Sequence, residues 1–253
     1  MSKNPKNKTQ SIQEEEYSFP YHYIPEISEE GFSQAKYWSW GYRYLGGLRV
    51  VIDQLNKISF NSLLDIGCGE GRFLREVSQH YPEKTFVGLD YSTRAISLSK
   101  LINPELHFIH MDIIKEETDE KYDLLTLIEV FEHIPLETAE QFVQSLSKAL
   151  NKDGALLLTV PHKNRTLQAK HFQHFSSQSL KSYFEKHFVV EDEQYLLKSC
   201  RLSYIINKLL TNKYFILNHQ ELKNYLYKLY KKHCCVANEK DCSKIYLRLR
   251  KLS

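Results

Sequence analysis

The 253-residue chain lacks any apolar run close to the roughly 20 residues that a membrane-spanning helix needs. Its first sixteen residues are polar throughout, without the apolar core of a signal peptide, so we expect a cytoplasmic protein. No CxxC pair occurs among the five cysteines, which argues against a zinc ribbon, and their odd number favours free thiols over a disulfide framework. The formal net charge of +3 is too small to indicate a nucleic-acid or membrane partner.

The chain contains 42% hydrophobic and 26% charged residues, which is typical of an ordinary globular domain. Residues 1–16 offer nothing to bury, so we expect a disordered tail there. Residues 17–47 hold both tryptophans and many tyrosines. Aromatic residues at this density predict either a lid over a substrate or a segment packed on the domain surface. The main domain should then occupy residues 48–253.

Strand-like and helix-like stretches alternate from residue 48 onwards. The apolar runs that predict buried strands are "SLLDIG", "KTFVGLD", "LHFIHMD", "YDLLTLIEV" and "ALLLTVP". Segments with helical spacing lie between them, which predicts an α/β fold with helices on both faces of a parallel sheet. The clearest helix should run from Pro135, at its first turn, to Gly154 as its stop signal.

The alternation of strand-like and helix-like stretches changes towards the end of the chain. "HFVVEDEQYLL" and "KIYLRLRK" predict a last pair of strands, and the residues between them, about 198–240, have helical spacing. Lysines decorate this helical insert. They fit a solvated helix face more simply than a surface that binds RNA or lipid.

A glycine loop, "LLDIGCGEGRF", follows the first predicted strand and precedes a helix. Glycine at positions 67, 69 and 71 lets a ligand approach the backbone, and a helix N-terminus attracts electronegative groups. The dinucleotide fingerprint G-x-G-x-x-G would need a glycine where this chain has Arg72. The tighter spacing makes less provision for a pyrophosphate.

With these residues the sequence resembles the class I S-adenosylmethionine-dependent methyltransferases, over about residues 45–197. Asp65 and the three glycines match the family's acidic-x-G-x-G-x-G motif, Asp90 its ribose-binding acid, and Asp112 the acid near the adenine amino group. The resemblance implies a Rossmann-like, doubly wound sheet of seven mostly parallel strands with an antiparallel last strand. It also implies a site for S-adenosylmethionine made of Asp65, Gly67, Cys68, Gly69, Gly71, Asp90, Tyr91, Met111, Asp112, Ile113 and Glu129.

A second polar group follows the fourth predicted strand. "IEVFEHI" places Glu129, Glu132 and His133 where an open α/β sheet binds ligands, and "KHFQHFS" brings His171 and His174 to the neighbouring edge. Three interpretations stay open. Glu129, Glu132, His133 and His174 could bind a divalent metal (manganese, iron, cobalt, zinc or magnesium) that activates a hydroxyl group. One of His133, His171 and His174 could instead be a metal-free general base, or Glu132 and His133 could simply cap the following helix.

The same motif gives an indication of the substrate class. E-x-x-E-H resembles the 2′-O-methyltransferases of small-RNA 3′ ends and the ubiquinone-biosynthesis O-methyltransferases, while "EHI" with a later H-x-x-H-F-S resembles small-molecule and glycan methyltransferases. "VPHKNRT" matches the T-P-N segment of the RNA enzymes only in part, and "FSSQSL" lacks their F-E-W element. We therefore expect O-methylation of a small hydroxylated substrate: a sugar, a polyol or a quinol-like ring. The alternatives are an RNA 3′ end, a nitrogen acceptor, and a cofactor-binding protein without catalysis.

Overall fold

The structure, a computed structural model, describes residues 27–28, 31–32 and 38–252, except 211, 213, 216 and 218. The expected disordered tail, residues 1–16, lies outside the described residues, as does much of the aromatic segment. Within that segment β1 (Ile27–Ser28) pairs antiparallel with β2 (Gly31–Phe32). Helix α1 (Trp38–Leu55) follows and begins ten residues before the predicted start at residue 48, so both tryptophans belong to it.

The main domain alternates strands and helices. Its first part comprises β3 (Ser62–Ile66), α2 (Arg72–His80), β4 (Thr85–Asp90), α3 (Thr93–Ile102), β5 (His107–His110) and β6 (Tyr122–Ile128). Then come α4 (Ala139–Ala149), β7 (Leu150–Pro161), α5 (Ser177–Phe184) and β8 (Phe188–Leu196). The last part comprises α6 (Arg201–Leu210), α7 (Gln220–Cys234), β9 (Val236–Ala237) and β10 (Lys244–Lys251). Among the described residues, no helix is both long and apolar enough to cross a membrane.

One sheet organises the domain, with the strand order β5-β4-β3-β6-β7-β10-β8-β9. The strands β3 to β7 pair in parallel, whereas β10 is antiparallel to both β7 and β8. This confirms the doubly wound sheet with an antiparallel last strand; the two-residue β9 adds an eighth strand at the edge. The chain order reverses between β3 and β6, and such a switch point opens a crevice at the carboxyl ends of the strands.

Apolar clusters cover both faces of the sheet. In β6, Leu125 and Leu127 point into the cluster formed with α4 and α5, whereas Leu124 points into the cluster formed with α1, α2 and the insert helices. All three leucines are fully buried. Burial on both faces explains why the strand reads as a continuous apolar run in the sequence.

The helix predicted from Pro135 to Gly154 differs at both ends. A 3₁₀ turn (Leu136–Thr138) follows Pro135, and α4 itself runs only from Ala139 to Ala149. Gly154 does not stop a helix but lies in a bulge of β7, where the pairing moves from Tyr122–Leu150 to Leu124–Ala155. A Cβ atom at Gly154 would lie 2.9 Å from a Leu150 methyl group, so the tight bulge explains the glycine.

Candidate active site

The glycine loop between β3 and α2 lies at the switch point. Gly67, Gly69 and Gly71 have φ values of 71°, 54° and 77°, in the left-handed region that glycine adopts without a steric penalty. A Cβ atom would lie 2.5 Å from Val130 at Gly67 and 2.6 Å from Phe108 at Gly71. The loop therefore needs glycine both for its backbone turn and for close packing on the neighbouring strand ends.

Asp90, the last residue of β4, ties this loop to the next one. Its Oδ2 accepts a hydrogen bond from the Gly69 N–H (3.0 Å) and its Oδ1 from the Ser92 N–H (2.9 Å). The side chain is only 6% exposed. A carboxylate oxygen accepts more than one hydrogen bond, so Asp90 can hold both loops and still bind hydroxyl groups of a ligand.

Asp65, at the core side of the glycine loop, is 3% exposed and accepts a 2.6 Å hydrogen bond from the Thr126 hydroxyl. Burial, with a smaller contribution from the negative charge of Asp90, raises the pKa of Asp65 to about 7 although the Thr126 hydrogen bond opposes the rise. Sequence reasoning missed Thr126, because only the register of β3 against β6 places it opposite Asp65.

The remaining residues expected at the cofactor lie around the ends of β3, β4 and β5. Tyr91 is exposed, Met111 is half-buried against the core, and Ile113 is buried. Asp112 accepts the Ile114 N–H at 3.1 Å and pairs with the exposed Lys115, so it also shapes the turn after β5. Cys68 is buried beneath the loop, and burial raises the pKa of its thiol, so it packs as a small apolar side chain.

Glu129, directly after β6, pairs with a lysine that sequence reasoning missed. Lys244 Nζ lies 2.9 Å from Glu129 Oε2, and the lysine side chain is 9% exposed. Glu129 has a φ of 56°, unusual for a residue with a side chain, and its Oε1 is buried without a hydrogen-bond partner among the described residues. Gly47 of α1 borders this pair, since a Cβ atom there would lie 3.5 Å from Lys244 Nζ. The pair occupies the mouth of the crevice.

Glu132, His133 and His171 form a compact group beside this pair. One potential metal-ligating atom from each lies within 4.8 Å of the others. Glu132 is 1% exposed, and its Oε2 is buried with no hydrogen-bond partner in the described part of the chain. The predicted ligand set included Glu129 and His174 in place of His171. The geometry instead groups His171 with Glu132 and His133.

His174 contacts His171 rather than joining the group. His174 Nδ1 lies 3.1 Å from the Arg165 carbonyl, which can only accept, so Nδ1 carries the proton and Nε2 the lone pair. His171 Nδ1 lies 2.8 Å from that Nε2 and must therefore donate. His133 Nδ1 likewise donates to the Lys170 carbonyl at 2.9 Å. In the neutral rings of His133 and His171 this network places the lone pair on Nε2.

The electrostatics of the group follow from burial. Burial, with the neighbouring His133 and His174, lowers the pKa of His171 to about 3. Burial also lowers the pKa of His174. Burial and the nearby Glu129 carboxylate raise the pKa of Glu132 well above its usual range. Burial thus favours the neutral forms of His171 and His174, and it favours the protonated form of the Glu132 carboxyl group unless another positive charge is supplied.

The third interpretation, in which Glu132 and His133 cap the following helix, is wrong. The N-cap residues are Pro135 for the 3₁₀ turn at Leu136–Thr138 and Thr138 for α4, and within the described part of the chain neither makes a side-chain capping hydrogen bond. Glu132 and His133 themselves lie in a separate 3₁₀ turn, Phe131–His133. Its backbone is tied to the second loop, because the Glu132 carbonyl accepts the Phe172 N–H at 2.8 Å.

Comparison with known proteins identifies the family. The methyltransferase domain family matches residues 37–192, which is more than half of the chain. The chain belongs to this family. The family match includes every strand from β3 to β7, the glycine loop, Glu129 and the group of Glu132, His133 and His171, whereas Lys244 lies beyond it.

Individual relatives within the family are distant. The mitochondrial ubiquinone biosynthesis O-methyltransferase of Schizosaccharomyces pombe is 28% identical over 125 residues, 47% of this chain and 44% of that protein. The (S)-tetrahydroprotoberberine N-methyltransferase of Eschscholzia californica is 28% identical over 108 residues, 40% of this chain and 30% of that protein. The chain therefore spans less than half the length of these curated relatives.

A solved structure confirms the fold over almost the whole chain. The N-methyltransferase NodS of Bradyrhizobium japonicum WM9, in complex with S-adenosyl-L-homocysteine, superposes with a TM-score of 0.61 at 12% identity. The alignment covers 97% of this chain and 100% of that one.

Proposed function

We propose that this protein transfers a methyl group from S-adenosylmethionine to an oxygen atom of a small hydroxylated substrate, such as a sugar, a polyol or a quinol-like ring. Membership of the methyltransferase domain family and the shared fold with a protein that binds S-adenosyl-L-homocysteine support the donor. The observation that supports an oxygen acceptor is the group of Glu132, His133 and His171. These side chains are suitable ligands for a divalent cation that binds hydroxyl oxygens.

The donor would lie at the glycine loop, along the ends of β3, β4 and β5. Asp90 would accept hydrogen bonds from the ribose hydroxyl groups while its present bonds hold the loop. Tyr91, Met111 and Asp112 would border the adenine ring. Asp65 would face a positively charged sulfonium compound with a carboxyl group whose pKa of about 7 allows ionisation at neutral pH.

The acceptor must lose a proton during the reaction. Methyl transfer breaks the bond between sulfur and the methyl carbon and forms a carbon–oxygen bond, so the acceptor hydroxyl group must be deprotonated. An imidazole with a pKa of about 3, such as His171, binds a proton too weakly to act as a general base near neutral pH. This argues against His171 as a metal-free base and favours a role as a neutral ligand.

A divalent cation fits the residues present. Glu132, His133 and His171 would hold it, and the buried Oε2 of Glu132, which has no hydrogen-bond partner among the described residues, supports a positive charge at that position. Mixed imidazole and carboxylate donors suit manganese, iron, cobalt or zinc better than magnesium. When bound, such a cation would bind the acceptor hydroxyl group and lower its pKa. His174 would orient His171 through the Nδ1–Nε2 hydrogen bond.

Metal binding itself is the first test. We expect the purified protein to bind Mn²⁺ or Co²⁺ in calorimetry, and Glu132→Gln and His171→Asn to abolish binding. Glu140→Gln is the matched control, because Glu140 is an exposed glutamate of α4 that pairs with Lys186 outside the group, so its loss should leave metal affinity nearly unchanged. Affinity for S-adenosyl-L-homocysteine reports that each variant remains folded.

Activity supplies the second test. With labelled S-adenosylmethionine and panels of polyols, sugars, catechols and amines, we expect methyl transfer to a hydroxyl group, loss of transfer in excess chelator, and recovery with Mn²⁺ or Co²⁺. Full transfer in chelator, with no bound metal in elemental analysis, would overturn the metal assignment. Transfer to amines alone would overturn the oxygen acceptor and leave the donor assignment intact.

A further inference from the structure

Two cysteines lie close together at the base of the helical insert. Cys200 directly precedes α6, and Cys234 is the last residue of α7. Their sulfur atoms are 3.8 Å apart. Both belong to segments joined by backbone hydrogen bonds, because Lys198 N–H donates to the Cys234 carbonyl at 2.8 Å. A modest shift of the side chains would bring the sulfur atoms to the roughly 2.05 Å of a disulfide bond.

The two thiols lie in different environments. Cys200 is partly exposed, whereas Cys234 is fully buried. Burial by itself would raise the pKa of Cys200, but hydrogen bonds from the backbone and hydroxyl group of Ser203, from Cys234 and from the backbone of Leu202 outweigh it and lower that pKa. Burial and contact with Cys200 raise the pKa of Cys234 to about 12.

The start of α6 explains the difference. Cys200 occupies the capping position, since its carbonyl accepts the Tyr204 N–H at 3.0 Å and its N–H donates to the Ser203 hydroxyl at 3.0 Å. A thiolate there lies at the electropositive end of a helix, where cysteines become nucleophilic. Cys234 has no such stabilisation and stays a thiol until its partner is oxidised.

We propose that Cys200 and Cys234 form an oxidant-sensitive thiol pair, in which Cys200 reacts with hydrogen peroxide and Cys234 converts the product to an intramolecular disulfide. The inference does not depend on the methyl acceptor or on a metal. It concerns a face of the insert that the proposed function leaves unused.

The chemistry balances in two steps. The Cys200 thiolate attacks one peroxide oxygen, the O–O bond breaks, and hydroxide leaves and takes up a proton to form water; Cys200 becomes a sulfenic acid. The Cys234 sulfur then attacks the Cys200 sulfur, the S–O bond breaks, and the released hydroxide takes the Cys234 proton as a second water. Two thiols are oxidised by two electrons and one peroxide is reduced.

The disulfide would tie the start of α6 to the end of α7. The segment just before α6 is also joined to the start of β10. Ser199 N–H donates to the Asp241 carbonyl at 2.7 Å, and Ser243 N–H donates to the Leu196 carbonyl at 3.0 Å. Lys244 follows immediately and pairs with Glu129. Oxidation therefore acts on a segment that is continuous with the mouth of the crevice.

Peptide mapping of the full chain tests the proposal. After brief exposure to hydrogen peroxide and alkylation of the remaining thiols, trypsin should release residues 199–201 cross-linked to residues 233–240, with the loss of two hydrogen atoms. Reduction should separate the two peptides. Before oxidation, a limiting amount of iodoacetamide should label Cys200 ahead of the four buried cysteines.

Variants separate the pair from its neighbours. Cys200→Ser should abolish the cross-link, and Cys235→Ser, which removes the adjacent buried thiol, should retain it. Because Cys234 is fully buried, Cys234→Ser is judged only if its circular dichroism and thermal unfolding match the wild type; it should then leave Cys200 as a sulfenic acid that dimedone traps. Oxidation that stops at the Cys200 sulfenic acid in the wild type, or a cross-link to Cys235 or Cys242, would overturn the proposal.

Discussion

Gly67 offers a quantitative test of the glycine loop. Alanine at this position would keep a φ near 71°, and a left-handed backbone costs a residue with a Cβ atom about 1–2 kcal/mol. The new Cβ would also lie 2.5 Å and 3.1 Å from the two methyl carbons of Val130, so one of them must move. Overpacking of this kind costs about 1–3 kcal/mol. Gly67→Ala should therefore lower the free energy of unfolding by about 2–5 kcal/mol.

A double-mutant cycle separates these two costs. Val130→Ala removes both clashing methyl groups, so in its presence Gly67→Ala should cost only the backbone part. The double variant should be more stable than the sum of the single effects by about 1–3 kcal/mol. Gly47→Ala is the matched control: it lies in α1, and among the described residues its Cβ would meet only Lys244 Nζ, at an ordinary 3.5 Å. It should leave the stability within about 1 kcal/mol of the wild type.

Urea denaturation of the four proteins of the cycle and of the control measures these differences in stability. Calorimetry with S-adenosyl-L-homocysteine measures whether the glycine loop still binds the ligand. Strict additivity of the two substitutions would refute the packing of Gly67 on Val130. A Gly67→Ala protein as stable as the wild type would refute the left-handed turn as well.

Two further predictions concern the crevice. Asp65 has a folded-state pKa raised from 3.8 to about 7, so the protonated form is favoured in the folded state, and its ionisation should destabilise the protein progressively as pH rises through that window. Urea denaturation at pH 5 and pH 8 should therefore show a larger loss of stability in the wild type than in Asp65→Asn, by at most about 3 kcal/mol, and parallel profiles would contradict this. Deleting residues 1–37, which leaves α1 intact, should preserve binding of S-adenosyl-L-homocysteine and abolish methyl transfer if the aromatic segment is a lid; unchanged transfer would leave it a packing segment.

The strands could be predicted because their signal is local. The buried runs around Leu64, Val87 and Leu125 have apolar neighbours on both faces, and this alone makes a continuous apolar stretch. The ends of the helices could be predicted less well from the sequence. Gly154 has the appearance of a helix stop in the sequence, yet its role is set by a bulge against β6, and no local pattern contains that register. Element boundaries that depend on a partner strand are invisible in one sequence.

The charge partners of Glu129 and Glu132 also could not be predicted from the sequence. The sequence places Glu129 and Glu132 together at a strand end, but it does not show which charge compensates each. Lys244 reaches Glu129 only because β10 inserts antiparallel beside β7, and that pairing gives Glu129 a cationic partner that no local sequence pattern contains.

The balance of charges around Glu132 supports the proposed cation. The two carboxylates share the buried ammonium group of Lys244, the partly exposed Lys170 contributes less to Glu132, and burial favours neutral His171 and His174. If both acids ionise, one negative charge is left that no buried ammonium group among the described residues balances, which is costly at a site that is nearly inaccessible to water. A proton on Glu132 removes that charge, consistent with its raised pKa, and a divalent cation removes it while using the Nε2 lone pairs of neutral imidazoles. Metal binding should therefore release a proton from Glu132, and calorimetry in buffers of different ionisation enthalpy should detect that proton in the wild type.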